Sequence, residues 1–183
     1  PSFIVFDAEF RRKYPLGCLG PSSVFPDEKL PREWEGTVYF KADSIEALAR
    51  KAGIDPQGLA ETVRRNNEFA RTGKDLDFGR GDSAYDRYYA DKRVKPNPCL
   101  APIERPPFYA VVTWPGDIGT NGGLVTDEKA RVLSESGTVI EGLYAIGNTA
   151  ACVMGSKYPG AGATIGPCMV FGYIAARHAL RVQ

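Results

Sequence analysis

The chain has 183 residues, 43% of them hydrophobic and 25% charged, with 23 Lys and Arg against 22 Asp and Glu. That length carries one domain with a sizeable core or two small pieces, and the composition is that of an ordinary globular protein. A net charge of +1 gives no basis for a nucleic-acid partner or an anionic membrane surface, and no apolar run is long enough to span a bilayer or resembles a signal peptide.

Taken in chain order, Phe3-Ile4-Val5-Phe6 reads as a strand that Asp7 ends, followed by a brief helix from Ala8 to Tyr14. Residues 20–36, rich in Pro, Gly and charge, read as an exposed excursion. Val38 to Ala42 reads as a strand, and Asp43 or Ser44 offers an N-cap for a helix running to Lys51. Asp55-Pro56 opens a second helix carried by Leu59, Val63 and Phe69 and closed by Gly73. Residues 73–107 show no periodicity and are expected to form a long loop, with Tyr85, Tyr88 and Tyr89 packed in its core and Asp82 and Asp86 as solvated or N-capping groups.

Phe108 to Trp114 reads as a strand. Gly116 to Gly123 is a glycine-rich turn, and residues 123–126 and 130–133 suggest a hairpin around Asp127-Glu128-Lys129. Gly142 to Asn148 reads as a short buried strand ending in a polar turn, and Met169 to Leu180 as a helix. The order is mixed α and β with a composition shift near residues 115–122. An opening at Pro1 without methionine points to a processed product or an excised piece.

Cys18, Cys99, Cys152 and Cys168 form no CxxC pair, and His178 is the only histidine. A metal site of the usual kind is therefore not expected, nor a Ser-His-Asp or Cys-His centre. The cysteines fit buried reduced thiols of a cytoplasmic protein, and His178 an exposed or capping position.

The run Tyr158-Pro159-Gly160-Ala161-Gly162-Ala163-Thr164-Ile165-Gly166-Pro167 concentrates the chemistry. A strand, a glycine loop and a helix start build a wall where backbone N–H groups face a ligand closely, and a phenol beside it is a further donor. Plainer readings stay open on the residues alone: Tyr158 as a surface or interface tyrosine, Asn148 as a left-handed turn residue, and the glycines as tight turns and close helix packing, Gly172 above all.

Three segments carry a family resemblance. Gly81-Asp82-Ser83-Ala84-Tyr85-Asp86-Arg87-Tyr88-Tyr89 with Val94-Lys95-Pro96-Asn97-Pro98, and Val153-Met154-Gly155-Ser156-Lys157-Tyr158-Pro159-Gly160 through Gly172-Tyr173, resemble the bacterial 3-ketosteroid Δ1-dehydrogenases. Pro115-Gly116-Asp117 through Thr126-Asp127 resembles them too and, more loosely, the flavoprotein fumarate reductases.

The resemblance implies an α+β fold: the cap (catalytic) domain of a fumarate-reductase-like flavoprotein over residues 1–117, and the C-terminal strand and helix of its FAD-binding domain over 118–183. It implies FAD as cofactor, a 3-ketosteroid substrate, an external electron acceptor and a cytoplasmic or membrane-peripheral enzyme. Tyr158 hydroxyl and Gly162 N–H would hold the steroid C3 oxygen while a base takes a C2 proton and hydride passes from C1 to flavin N5. Asn148, Ala163, Thr164 and Ile165 would face the flavin.

Where the fumarate reductases carry an arginine this sequence has Tyr158, and their His-His pair falls near Ile118-Gly119. A carboxylate substrate would lose its charge partner, whereas a neutral ketone would not. No GxGxxG strand-turn-helix fingerprint is present, and the family's proton-accepting tyrosine aligns upstream of Pro1. The chain is thus expected to need the remaining N-terminal segment of a longer enzyme. The alternatives carried forward are a 3-ketosteroid Δ4-(5α)-dehydrogenase, or an isolated module that binds or interacts without catalysis.

Overall fold

The computed structural model describes residues 1–181, and the chain divides between Trp114 and Pro115 into two compact units. The first is built on a three-stranded antiparallel sheet, β1 (Ser2–Phe6), β2 (Tyr39–Ala42) and β3 (Phe108–Thr113), in the order β1-β3-β2. Phe6 pairs with Tyr109 and Ile4 with Val111 on one side of β3, and Tyr39 pairs with Val111 on the other.

The period-2 alternation of β3 sends its residues to two cores. Tyr109 and Val111 join Phe6, Leu19 and Tyr39 on one face, where the Phe6 and Tyr109 rings stack at 5.4 Å. Phe108 and Ala110 join Ala42 and Leu48 on the other. Helix α1 (Ala8–Lys13) starts at the buried Asp7, whose Oδ1 accepts from Glu9 and Phe10 N–H at 3.0 Å each. Its Oδ2 takes the N–H groups of Glu104 and Arg105 at 3.2 and 3.1 Å. One carboxylate therefore caps a helix and anchors a segment almost a hundred residues away.

Helices α2 (Ile45–Ala52) and α3 (Pro56–Thr72) form where their caps are expected. Ser44 Oγ accepts from Ala47 N–H, Asp55 accepts from Gln57 and Gly58 N–H with Pro56 in the first turn, and Gly53 and Gly73 close them at φ 70° and 77°.

The segment 20–36 is less free than its composition suggests. Arg11, 2% exposed, reaches into it, with Nε donating to Asp27 Oδ1 at 3.1 Å, Nη2 to the Phe25 carbonyl at 2.9 Å and Nη1 to the Gly20 carbonyl. Lys41 Nζ and Tyr109 Oη both donate to Asp27 Oδ2 at 2.7 Å. Burial pushes the Asp27 carboxyl up, but the bonds from Lys41 and Tyr109 outweigh it and leave it below its ordinary value, while burial and Asp27 together push the Tyr109 phenol up.

Residues 73–107 are not one structureless loop. Asp75, its side chain wholly buried, accepts from the N–H groups of Asp77, Phe78 and Arg80 and from Arg80 Nε at 2.5 Å. Burial raises its pKa, yet the Arg80 guanidinium and these backbone donors win and hold it at about 2. A short helix, α4 (Ala84–Tyr89), follows with Ser83 as N-cap and Asp86 accepting from Gly81 N–H. Tyr85, Tyr88 and Tyr89 are exposed in an edge-on cluster rather than packed in a core, because polar side chains hold this segment instead. Buried Asn97 completes it, its Nδ2 donating to the carbonyls of Gly73 and Arg80 at 3.0 and 2.9 Å.

The second unit holds a hairpin of β4 (Arg131–Leu133) and β5 (Val139–Tyr144) and a helix, α5 (Ile165–Ala179). The hairpin expected around Asp127–Lys129 forms, with Asp127 N–H donating to the Arg131 carbonyl at 3.0 Å, Leu133 N–H to the Val125 carbonyl at 2.9 Å and an antiparallel Thr126–Val132 bridge, and β4 also pairs onward with β5. Gly137 at φ 80° makes that second turn tight, with Ser134 N–H donating to the Thr138 carbonyl at 2.8 Å. Strand β5 is not buried: Ile140 and Leu143 are exposed, and so are Met169, Val170 and Tyr173 on α5. Helix α5 begins at Ile165, within the run where a helix start is expected, and Pro167 in its first turn forfeits no intrahelical bond. The fold as a whole is mixed α and β, as expected.

Candidate functional site

Within the second unit, β5 leads through Ala145 and Ile146 into a 3-10 turn, Gly147–Thr149, and the chain then loops back to enter α5. Gly147, at φ 57°, lies so close to α5 that an added Cβ would meet Cys168 Sγ at 3.0 Å. The glycine-rich segment is stitched alongside this turn: Leu124 N–H donates to the Thr149 carbonyl at 2.9 Å, Ala151 N–H to the Leu124 carbonyl at 2.8 Å, and Cys152 N–H to the Asn121 carbonyl at 3.0 Å. Thr120 Oγ1 donates to the Asn148 carbonyl at 2.8 Å.

These segments wall a cleft of about 570 Å³ whose lining includes Asn148, Tyr158, Ala163 and Thr164. Four of the six residues singled out in the sequence thus come together from two elements 10 to 16 positions apart. Gly162 and Ile165 are not part of that lining. Gly162 sits at φ 92° in the loop before α5, and Ile165 is 63% exposed at the helix start.

Tyr158 is 57% exposed, and its hydroxyl has no hydrogen-bond partner among the described residues, nor has the Asn148 side-chain amide. The backbone N–H groups of Gly162, Thr164 and Ile165 are likewise unpaired there, because the nearby bonds run from Ala163 N–H to the Gly160 carbonyl and from Gly166 N–H to the Gly162 carbonyl. Thr164 stands at the N-cap without using its side chain to cap the helix. A phenol, an amide and three helix-entrance N–H groups are therefore free to donate, and the positive end of a 15-residue helix lies among them.

Asn148 is not a left-handed turn residue; that conformation falls to Gly147. Gly172 does pack closely, with an added Cβ 3.3 Å from Ile146 Cδ1. His178 is neither exposed nor a cap: it is half-buried, with Nδ1 2.7 Å from Tyr144 Oη. The cysteines are not fully buried either, since Cys18 is exposed and the other three half-buried, all free. Burial raises the Cys99 thiol. No group of three His, Cys, Asp or Glu among the described residues is placed to hold a metal, and no described helix is long and apolar enough to cross a membrane. Gly119 and Thr120 were placed by the sequence only in a glycine-rich turn, Gly119 also near the position of the fumarate reductases' His-His pair, because the Gly119 contacts with Asn148 and Thr164 and the Thr120 bond to Asn148 are non-local.

The model of a family described as FAD binding domain matches residues 14–165. The chain belongs to the FAD-binding-domain family. The chain is also similar to the 3-oxosteroid 1-dehydrogenase of Comamonas testosteroni, 50% identical over 96% of this chain and 30% of that protein. It is similar to the 4-oxocyclohexanecarboxylate 2-dehydrogenase of Sinomonas cyclohexanicum, 43% identical over 97% of this chain and 29% of that one. Among solved structures, the 3-ketosteroid Δ1-dehydrogenase of Sterolibacterium denitrificans, in complex with 1,4-androstadiene-3,17-dione, superposes with a TM-score of 0.87 at 51% identity, covering 99% of this chain and 32% of that chain. The resemblance read from the sequence is borne out. The chain spans about a third of the length of these relatives.

The donor set fits the cofactor of the FAD-binding-domain family in part. A flavin ring needs a flat wall with backbone donors at its polar edge, and the unpaired N–H groups of Thr164 and Ile165 beside small Ala163 provide one. The second face and the pyrophosphate cradle have no counterpart among the described residues.

Proposed function

We propose that this chain is the C-terminal part of an FAD-dependent 3-ketosteroid Δ1-dehydrogenase and supplies one wall of its active site. The observation that carries the reading is the cleft in which a free phenol and a free helix N-terminus come together, on a chain half identical to 3-oxosteroid 1-dehydrogenases. In this reading residues 1–117 belong to the cap over the substrate and residues 118–183 to the flavin domain.

A carbon next to a ketone holds its proton too tightly for ready loss at neutral pH. Tyr158 hydroxyl and Gly162 N–H donate to the ketone oxygen and stabilise the negative charge that grows there, each contributing roughly 10²–10³ in rate. The phenol suits this task because it is a neutral hydroxyl that donates one hydrogen bond. Gly162, lacking a side chain, lets a flat ring approach its backbone. Bound FAD supplies the two-electron acceptance that an amino-acid side chain cannot. Asn148, Ala163, Thr164 and Ile165 hold its ring edge, and the α5 N-terminus favours negative charge beside it. The proton-accepting base, the pyrophosphate cradle and the site for an external electron acceptor belong to the rest of the enzyme.

The similarity to an oxocyclohexanecarboxylate dehydrogenase supports the same core chemistry, desaturation beside a ring ketone. The test is steady-state turnover of androst-4-ene-3,17-dione by the full-length enzyme and its Tyr158→Phe variant. A fall in kcat of about 10²–10³ with flavin retained is expected, and unchanged turnover would remove Tyr158 from the site.

A further inference from the structure

Asn148 carries a free amide into the cleft, and nothing bonded to that amide holds it in place. What restrains it is a glycine. A Cβ built on Gly119 would lie 2.7 Å from Asn148 Oδ1, 3.4 Å from its Cγ and 3.4 Å from Thr164 Cγ2. The bare backbone of Gly119 is thus packed against two cleft residues that come from different elements, the 3-10 turn and the cap of α5. The next residue fixes the other end of Asn148, Thr120 Oγ1 donating to its carbonyl at 2.8 Å.

From this juxtaposition we propose that Gly119 and Thr120 are positioning residues, which set the Asn148 amide and its spacing from Thr164 for binding the flavin. The inference rests on the function proposed above and adds to it a mechanism of preorganisation. The atom opposing Gly119 is the far end of a rotatable side chain, not backbone. A methyl group there is accommodated by swinging the amide away, so the fold survives and the site does not. That separates Gly119 from a glycine whose only task is to let the chain turn, because its φ lies outside the left-handed region.

The experiment uses the full-length enzyme, stripped of flavin and titrated with FAD by quenching of flavin fluorescence. Gly119→Ala is expected to weaken FAD binding at least tenfold, with the thermal midpoint of the apoprotein held to within a few degrees. Thr120→Val, which removes one hydrogen bond, is expected to weaken it about fivefold and keeps the inference testable if the alanine variant folds poorly. In an Asn148→Ala background the further loss from Gly119→Ala should shrink below about threefold, the signature of coupling through the amide. Affinities within twofold of wild type for both single variants, or an equal loss from Gly119→Ala in both backgrounds, overturn the inference. A wild-type enzyme that binds no FAD defeats the proposed function itself, so the two failures are distinct.

Discussion

Removing the Asp27 carboxylate tests how the first unit holds residues 20–36 in place. Asp27 accepts from three side chains on three elements: Arg11 on α1, Lys41 on β2 and Tyr109 on β3. In Asp27→Ala, Lys41, about a third exposed, regains water and loses little. Arg11 cannot, and breaking one partner from a buried ion pair costs about 3–5 kcal/mol. The stranded Tyr109 hydroxyl adds about 1–3 kcal/mol. The expected loss is therefore about 4 kcal/mol or more, a large share of the stability of a typical domain. Asp27→Asn keeps the shape and one acceptor but gives up the charge, for about 2 kcal/mol, and Tyr109→Phe removes one donor of three, for about 1 kcal/mol.

Urea unfolding read through Trp34, which packs against the Phe6–Tyr109 cluster, ranks the three variants by midpoint shift. A loss under 1 kcal/mol for Asp27→Ala, or equal losses for Asp27→Ala and Tyr109→Phe, refutes the account of a buried charge left without its partner.

Asp75 predicts an acid limb. Its carboxyl is held at about 2 in the fold against an ordinary 3.8, so the stabilisation is complete above pH ~4 and is lost as pH falls through about 2. Half-exposed Arg80 screens part of it, leaving about 1–2 kcal/mol, and Asp75→Asn should flatten the stability profile over that window in acid titrations followed by circular dichroism. Gly123→Ala should destabilise the second unit by about 2–3 kcal/mol, since its Cβ would meet Ala150 backbone carbon at 2.5 Å and the Thr149 carbonyl oxygen at 2.6 Å. Gly122→Ala, with open space at its Cβ, should stay within about 0.5 kcal/mol by thermal unfolding. The purified 183-residue chain should lack yellow flavin absorbance, and retained FAD would contradict the view that most of the cradle lies outside it.

What was legible in the sequence was local. Ser44, Asp55-Pro56 and Gly73 mark helix ends because each cap acts within three or four residues, and the continuous apolar run of β3 marks a strand. Burial was less legible: Gly142 to Asn148 reads as a buried strand, yet Leu143 is exposed and the strand ends at Tyr144. Long-range polar ties were invisible, as with Arg11 to Asp27 or Asp7 to Arg105. The cleft divides the same way: Tyr158 to Ile165 lie in one motif, whereas Gly119 and Thr120 reach Asn148 across almost thirty residues.

Three glycines in one short segment separate function from folding by what faces each of them. Gly123 opposes rigid backbone, and a side chain there must move the Thr149–Ala151 segment, so its constraint is on the fold. Gly122 opposes nothing, and its constraint is slight. Gly119 opposes the movable tip of Asn148 and the methyl group of Thr164, so a substitution there spares the fold and disturbs the cleft. Counting glycines in a loop cannot make that distinction, because the sequence shows only the missing side chain. The distinction appears once the opposing atom is named: backbone implies stability, empty space implies tolerance, and a free amide in a cleft implies a ligand.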